Sequence, residues 1–112
     1  HAAMADRPWK CVASSADVRS GAVRRVNLDG VRHVGLFVHE DRVHALEDSC
    51  PHWGVPLTEG TVQSDGTVEC SLHAWCFDLR TGRGTEPSFD RVEAYDVEER
   101  EGSVYVAPRE EG

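Results

Sequence analysis

The sequence predicts an all-β protein, a small antiparallel β-sandwich or barrel. Two observations favour this fold class: short runs in which apolar and polar residues alternate, and turn-forming residues that separate those runs at intervals of about 8–12 residues. In addition, no segment keeps an apolar stripe of helical period for three turns. The 112 residues form one predicted domain over residues 4–112, and residues 1–3 are interpreted as a cloning remnant.

The first predicted strands are bounded by turn signals. An alternating run over residues 23–28 ends at Asp29 and Gly30, a residue pair that strongly favours a two-residue turn. Residues 32–47 then form a predicted hairpin, because two apolar runs flank the polar residues 40–42.

The second half of the chain repeats this pattern. Residues 61–69 predict a strand, a turn and a strand, and residues 92–97 and 103–107 predict a final strand pair. Two segments without strand alternation, residues 48–60 and residues 70–84, are predicted loops; the first contains two prolines and two glycines. Because a hairpin returns the chain to its starting end, the hairpin between these loops brings them together.

Each of the two loops carries one cysteine and one histidine. They are Cys50 and His52 in the first loop, and Cys70 and His73 in the second. Two thiolates and two imidazoles suit a tetrahedral zinc ion, and they equally suit a two-iron cluster with both cysteines on one iron and both histidines on the other. Common structural zinc sites pair like ligands along the chain, whereas each loop here supplies one sulfur and one nitrogen. The spacing therefore favours a cluster and leaves zinc open.

With their neighbours, these residues resemble the Rieske iron–sulfur proteins, specifically the small soluble Rieske-type ferredoxins. The similarity is carried by residues 50–57 (CPHWGVPL), 70–75 (CSLHAW) and 77–82 (FDLRTG), and it extends over most of the chain from Trp9 to Ala107. Either half of the motif alone is weak evidence, and the two together are highly specific.

The resemblance implies small antiparallel sheets whose two loops form a tip that binds one [2Fe-2S] cluster. In this arrangement Cys50 and Cys70 bind the inner iron, and His52 and His73 bind the outer, more exposed iron. The oxidised cluster then carries no net charge, because neutral imidazoles replace two of the four thiolates. Its reduction potential therefore lies above that of all-cysteine clusters.

The position of this protein within the Rieske range depends on hydrogen bonds to the cluster. High-potential relatives carry hydroxyl groups at the positions that Trp75 and Phe77 occupy here, and those relatives have a disulfide where this chain has Val55 and Leu72. Without these hydroxyl groups, we expect a midpoint potential near the low end of the range, at roughly −150 mV.

The other cysteines and histidines are assigned structural roles. Cys76 is interpreted as a small buried thiol packed beneath the second loop, and Cys11 as a buried strand residue. A disulfide framework of four cysteines is the competing interpretation. The side chains of His33, His39 and His44 are expected at the surface or half-buried.

Charge and hydropathy argue against two classes of partner. Acidic residues outnumber basic residues 20 to 12, so nucleic-acid binding through a basic surface is not expected. No run approaches the roughly 18 apolar residues of a membrane-spanning helix, and no secretory leader is evident, so we expect a cytoplasmic protein without a membrane partner. The acidic residues concentrate beyond residue 36, where they either keep the protein soluble or form a docking face for a basic partner.

The resemblance implies a soluble one-electron carrier rather than an enzyme. We expect it to take electrons from a flavin- or iron–sulfur-containing ferredoxin reductase and to pass them to a terminal oxygenase of the aromatic ring-hydroxylating dioxygenase type. Two alternatives stay open: a small Rieske subunit of a larger reductase, such as assimilatory nitrite reductase, and a zinc-stabilised binding module without redox chemistry. Colour distinguishes the zinc-stabilised module from the two cluster proteins, because a cluster is reddish brown and a zinc site is colourless.

Overall fold

Nine strands, one α-helix and one 3₁₀ helix are found in the described part of the chain. The computed structural model describes residues 8–28, 30, 32–49, 55–71, 76–84 and 91–109. In chain order the elements are β1 (Lys10–Ser14), α1 (Ser15–Gly21), β2 (Val23–Asn27), β3 (His33–His39), β4 (Arg42–Glu47), the 3₁₀ helix (Leu57–Glu59), β5 (Thr61–Val62), β6 (Thr67–Glu69), β7 (Cys76–Asp78), β8 (Ala94–Arg100) and β9 (Ser103–Pro108).

The strands form two antiparallel sheets. The large sheet has the order β1-β9-β8-β4-β3-β2, and the small sheet has the order β5-β6-β7. The hairpins β3–β4, β5–β6 and β8–β9 are the three that the sequence predicts, and β2 pairs with β3 as expected from the turn between them. The predicted all-β class is confirmed.

Two apolar cores stabilise the fold. The helix-side core consists of Val18, Val26, Leu28, Val34, Leu36, Val43, Ala45, Tyr95, Val104 and Val106. The loop-side core consists of Phe37, Leu46, Leu57, Val68, Cys70, Phe77, Leu79, Val92 and Ala94, and so joins the large sheet to the small one. Alternation along β3 places Leu36 in the first core and Phe37 in the second, which explains why this strand is a continuous apolar run.

Helix α1 is an element that the sequence does not predict, and its seven residues are too few for an apolar stripe of three turns. The Ser14 side chain accepts a hydrogen bond from the backbone N–H of Asp17 at 3.2 Å and so caps the helix N-terminus. Ala22 ends the helix in the left-handed conformation, with φ of 65°. Because this short helix buries only Val18, it has no apolar stripe for a periodicity argument to detect. Its one sequence signature is the spacing of Ser14 and Asp17.

Two predictions from the sequence are wrong. The predicted loop over residues 70–84 contains strand β7, because pairing with β6 gives Phe77 a fully buried place in the loop-side core. Cys11, predicted to be buried, is exposed, since it lies on β1 at an edge of the large sheet. Among the described residues, no helix has the length and apolar character needed to span a membrane.

Candidate metal centre

Only one of the four predicted ligands lies within the described residues. Cys70 directly follows β6 and is 1% exposed, and its thiol is free. Cys50, His52 and His73 lie outside the described residues. The geometry of the site is therefore built from Cys70 and from the residues that flank both loops.

A buried carboxylate closes the first loop at its base. Asp48, which directly follows β4, accepts hydrogen bonds from the backbone N–H and from the hydroxyl group of Thr58, both at 2.8 Å. Thr58 lies in the 3₁₀ helix. The two hydrogen bonds therefore bracket residues 49–57, which include the predicted ligands Cys50 and His52.

A close backbone contact holds the first loop against the second. A Cβ atom at Gly60 would lie 1.9 Å from the carbonyl oxygen of Glu69, the residue before Cys70. Glu69 pairs with Thr61 on β5 and with Cys76 on β7. The end of the first loop therefore meets Cys70 and Cys76, the two ends of the segment between β6 and β7, around Glu69.

The chain turns sharply where the second loop region ends. An Asp78 carboxylate oxygen accepts a hydrogen bond from the backbone N–H of Arg80 at 2.7 Å, and the Asp78 carbonyl accepts one from Gly82 at 2.8 Å. Gly82 has φ of 76°, in the left-handed region, and a Cβ atom there would lie 2.2 Å from the carbonyl oxygen of Val92. Residues 80–82 therefore form a turn, and Asp78 is the hydrogen-bond acceptor that holds it.

Cys70 and Cys76 belong to opposite faces of the small sheet. Cys70 shares the loop-side core with Val68 and Phe77, whereas Cys76 is opposite Glu69, and side chains alternate along a strand. The Cys76 thiol donates a hydrogen bond to Gln63 Oε1 at 3.4 Å. Cys76 is therefore a half-buried structural thiol, close to the role that the sequence suggested.

The surroundings of Cys76 predict a slow nucleophile. Burial raises the pKa of the Cys76 thiol, and the negative charge of Glu69 raises this pKa further, so the reactive thiolate is scarce at neutral pH. We expect iodoacetamide to modify the exposed Cys11 before Cys76 in the folded protein, as measured by peptide mass spectrometry. Equal rates at the two cysteines would contradict this description, and unfolding in urea, which removes the difference in burial, serves as the control.

The other histidines have the expected burial. His33 is exposed, and His39 and His44 are half-buried. A ring nitrogen of His39 lies 3.1 Å from the carbonyl oxygen of Ser64, in the β5–β6 turn, and burial lowers the pKa of His44. Because that turn is at the opposite end of β6 from Cys70, His39 is remote from the loop bases.

The described residues fit a cluster with sulfur ligands. Iron in these clusters prefers cysteine thiolates, and a thiolate buried among apolar residues needs a positive charge such as a metal ion beside it. Within the described ranges, no group of three or more histidine, cysteine, aspartate or glutamate side chains is arranged to hold a metal ion. The described residues alone therefore do not supply the full ligand set of a centre that includes Cys70.

Two antiparallel sheets, with a buried thiol where two loop bases meet, are compatible with a small iron–sulfur domain. The family model of the Rieske [2Fe-2S] domain matches residues 8–96, and the chain belongs to this family. It therefore carries one Rieske-type [2Fe-2S] cluster. The predicted family and cofactor are confirmed.

Several relatives of similar length are ferredoxins. The chain is 35% identical over 100 residues to ferredoxin CarAc of Metapseudomonas resinovorans, an alignment that covers 88% of this chain and 92% of that protein. It superposes on the ferredoxin of carbazole 1,9a-dioxygenase from Nocardioides aromaticivorans IC177 with a TM-score of 0.80 and 31% identity, covering 90% of this chain and 98% of that one. A chain from the complex of reduced oxygenase and oxidized ferredoxin in carbazole 1,9a-dioxygenase gives a TM-score of 0.81 and 32% identity, covering 95% of this chain and 100% of that one. The predicted role as an electron carrier, not a catalytic component, is confirmed.

Two features of the site are missed by the sequence analysis. Asp48 gives no local sign of its contacts, because its partners are brought to it by other elements. The close contact at Gly60 could have been predicted, since a glycine between a loop and a strand often marks a close backbone approach.

Proposed function

We propose that this protein passes single electrons to the terminal oxygenase of a ring-hydroxylating dioxygenase system, with Cys50, His52, Cys70 and His73 as the cluster ligands. The observation that carries the proposal is the contact between Gly60 and Glu69, which joins the bases of the two loops. The similarity to carbazole dioxygenase ferredoxins, one of them in complex with its oxygenase, supports an oxygenase as the electron acceptor.

The protein residues have three tasks in this function. The bound cluster supplies a group that accepts and releases one electron at a time. Cys70 provides a thiolate from the interior, and the loop-side core around it excludes water. The hydrogen bonds of Asp48 and the pairing of Glu69 with Cys76 hold the loop bases in fixed positions in both oxidation states.

We also propose the electron donor and the location. A flavin- or iron–sulfur-containing reductase is the donor, because a one-electron carrier needs a partner that releases electrons singly. A cytoplasmic location is supported by Cys11, Cys70 and Cys76, which form no disulfide with one another, as is usual in a reducing compartment.

The proposal is tested by transfer to an oxygenase. The protein is reduced with dithionite without air, freed of excess dithionite and mixed with the oxidised oxygenase component of a carbazole dioxygenase. We expect the visible bands of this protein, bleached by dithionite, to have returned when it is separated from the oxygenase by anaerobic gel filtration, and iron and acid-labile sulfide to be present at two each per chain. A colourless protein containing zinc would contradict the assignment, as would a stable complex with a large reductase and no transfer to the oxygenase.

The net charge of −8 predicts that electron transfer depends on salt. An acidic carrier docks fastest on a basic surface, and the attraction is screened beyond about 10 Å at 0.1 M salt. We expect the second-order rate constant of transfer to fall steadily as sodium chloride is raised, measured by stopped-flow absorbance. The midpoint potential over the same salt range is the control for driving force, and a rate independent of salt would contradict an acidic docking face.

A further inference from the structure

A buried charge lies at the base of the first loop. Asp48 is 3% exposed as a residue, and its side chain is fully buried. It precedes the proposed ligand Cys50 by two residues. Removing an ionised carboxylate from water costs free energy unless the protein supplies partners, so the contacts of Asp48 are informative.

The partners of Asp48 come from three other elements. One carboxylate oxygen accepts from the backbone N–H of Thr58, and the other accepts from the Thr58 hydroxyl, both at 2.8 Å. The Nε atom of Arg25, on β2, lies 3.4 Å from the second oxygen. The backbone N–H of Asp48 donates to the carbonyl of His33, on β3, at 3.1 Å. The carboxylate thus ties the 3₁₀ helix to the large sheet.

The large sheet is shaped to receive Thr58. A Cβ atom at Gly35, on β3, would lie 2.9 Å from the Thr58 methyl carbon, closer than carbon atoms pack. The glycine therefore leaves the space in which Thr58 reaches Asp48. The space at Gly35, the Thr58 hydroxyl and the Asp48 carboxylate fit together. They therefore fix one position for the 3₁₀ helix at the base of the first loop.

We propose that Asp48 is a positioning residue for the first ligand loop and that the charges of Asp48 and Arg25 shift the reduction potential of the cluster in opposite directions. This inference rests on the proposed ligands Cys50 and His52. Reduction adds one negative charge, so a nearby carboxylate disfavours the reduced state and a nearby guanidinium favours it. The carboxylate acts more strongly, because its side chain is buried whereas that of Arg25 is 42% exposed and screened by solvent.

Charge substitutions test the electrostatic part. We expect Asp48→Asn to shift the midpoint potential to more positive values and Arg25→Gln to shift it to more negative values, measured by voltammetry. Asp96→Asn is the matched control: it removes the same charge from β8, where Asp96 pairs with Arg109 at 3.2 Å, and we expect it to leave the potential unchanged. General loosening of the fold would not give shifts of opposite sign.

Substitutions at Thr58 test the positioning part. Thr58→Val keeps the shape and removes the hydroxyl donor, whereas Thr58→Ser keeps the donor. We expect Thr58→Val to lose its cluster to an iron chelator roughly tenfold faster than wild type, as expected for a lost hydrogen bond to a charged group, and Thr58→Ser to lose it at nearly the wild-type rate.

The outcomes separate this inference from the proposed function. Potential shifts of the same sign in Asp48→Asn and Arg25→Gln, or a Thr58→Val variant as stable as wild type, would overturn the role of Asp48. If Asp48→Asn does not fold, the potential of Arg25→Gln and the cluster loss of the Thr58 variants still test the role of Asp48. A wild-type protein without a mixed-ligand spectrum would overturn the ligand assignment instead.

Discussion

Alanine at His52 or at His73 is expected to abolish the mixed-ligand spectrum of the reduced protein. Both imidazoles are proposed to bind the same iron, so removal of either leaves that iron with an open coordination position and changes or destroys the cluster. The measurement is electron paramagnetic resonance of the dithionite-reduced protein, together with iron and sulfide content. We expect electron transfer to the oxygenase to be lost in both variants.

Cys76→Ser is the matched control for this experiment. Cys76 is three residues beyond His73, but it belongs to the face of the small sheet opposite Cys70, and its thiol donates to Gln63. We expect the variant to keep the wild-type spectrum, whereas Cys70→Ser loses it. A Cys76→Ser protein without a cluster would show that the ligand set is wrong.

Gly60→Ala is expected to destabilise the protein and to impair cluster binding at the same time. The added Cβ would lie 1.9 Å from the backbone oxygen of Glu69, and no side-chain rotation relieves this clash, because the backbone fixes the position of Cβ. The 3₁₀ helix or β6 must shift, and overpacking of this kind costs about 1–3 kcal/mol or more. Thermal unfolding and the sulfide content of the purified protein measure the two effects.

Gly21→Ala provides the comparison at the end of α1. A Cβ atom at Gly21 has no other atom within 4 Å. Because alanine favours a helix more than glycine does, we expect stability to be unchanged or to rise by up to about 1 kcal/mol, with a full cluster. If Gly60→Ala behaved like Gly21→Ala, the close contact of the two loop bases would be refuted.

The predictability of the fold depends on the range of the interactions involved. The hairpins β3–β4 and β8–β9 are predicted because alternation and turn residues are local properties of the sequence. Strand β7 is not predicted, because its three residues become a strand only through pairing with β6 and burial of Phe77. Helix α1 is missed for a similar reason, since its stability comes from one buried side chain, Val18, and a cap.

The same distinction applies to the site. The family resemblance is predictable because ligand spacing lies within two short segments. The contacts of Asp48 are not, because Arg25 and Thr58 reach it from two other elements and form no pattern along the chain. The exposed position of Cys11 is likewise missed, since its strand lies at an edge, and edge order is a property of the whole sheet.

The membership of Cys70 in the loop-side core has a consequence for maturation. With Cys70 as a ligand, the same residue packs the interior and binds iron. Because the side chain of Cys70 is buried once the two sheets have packed together, we expect iron and sulfide to reach this thiol more readily before the loop-side core is complete than afterwards.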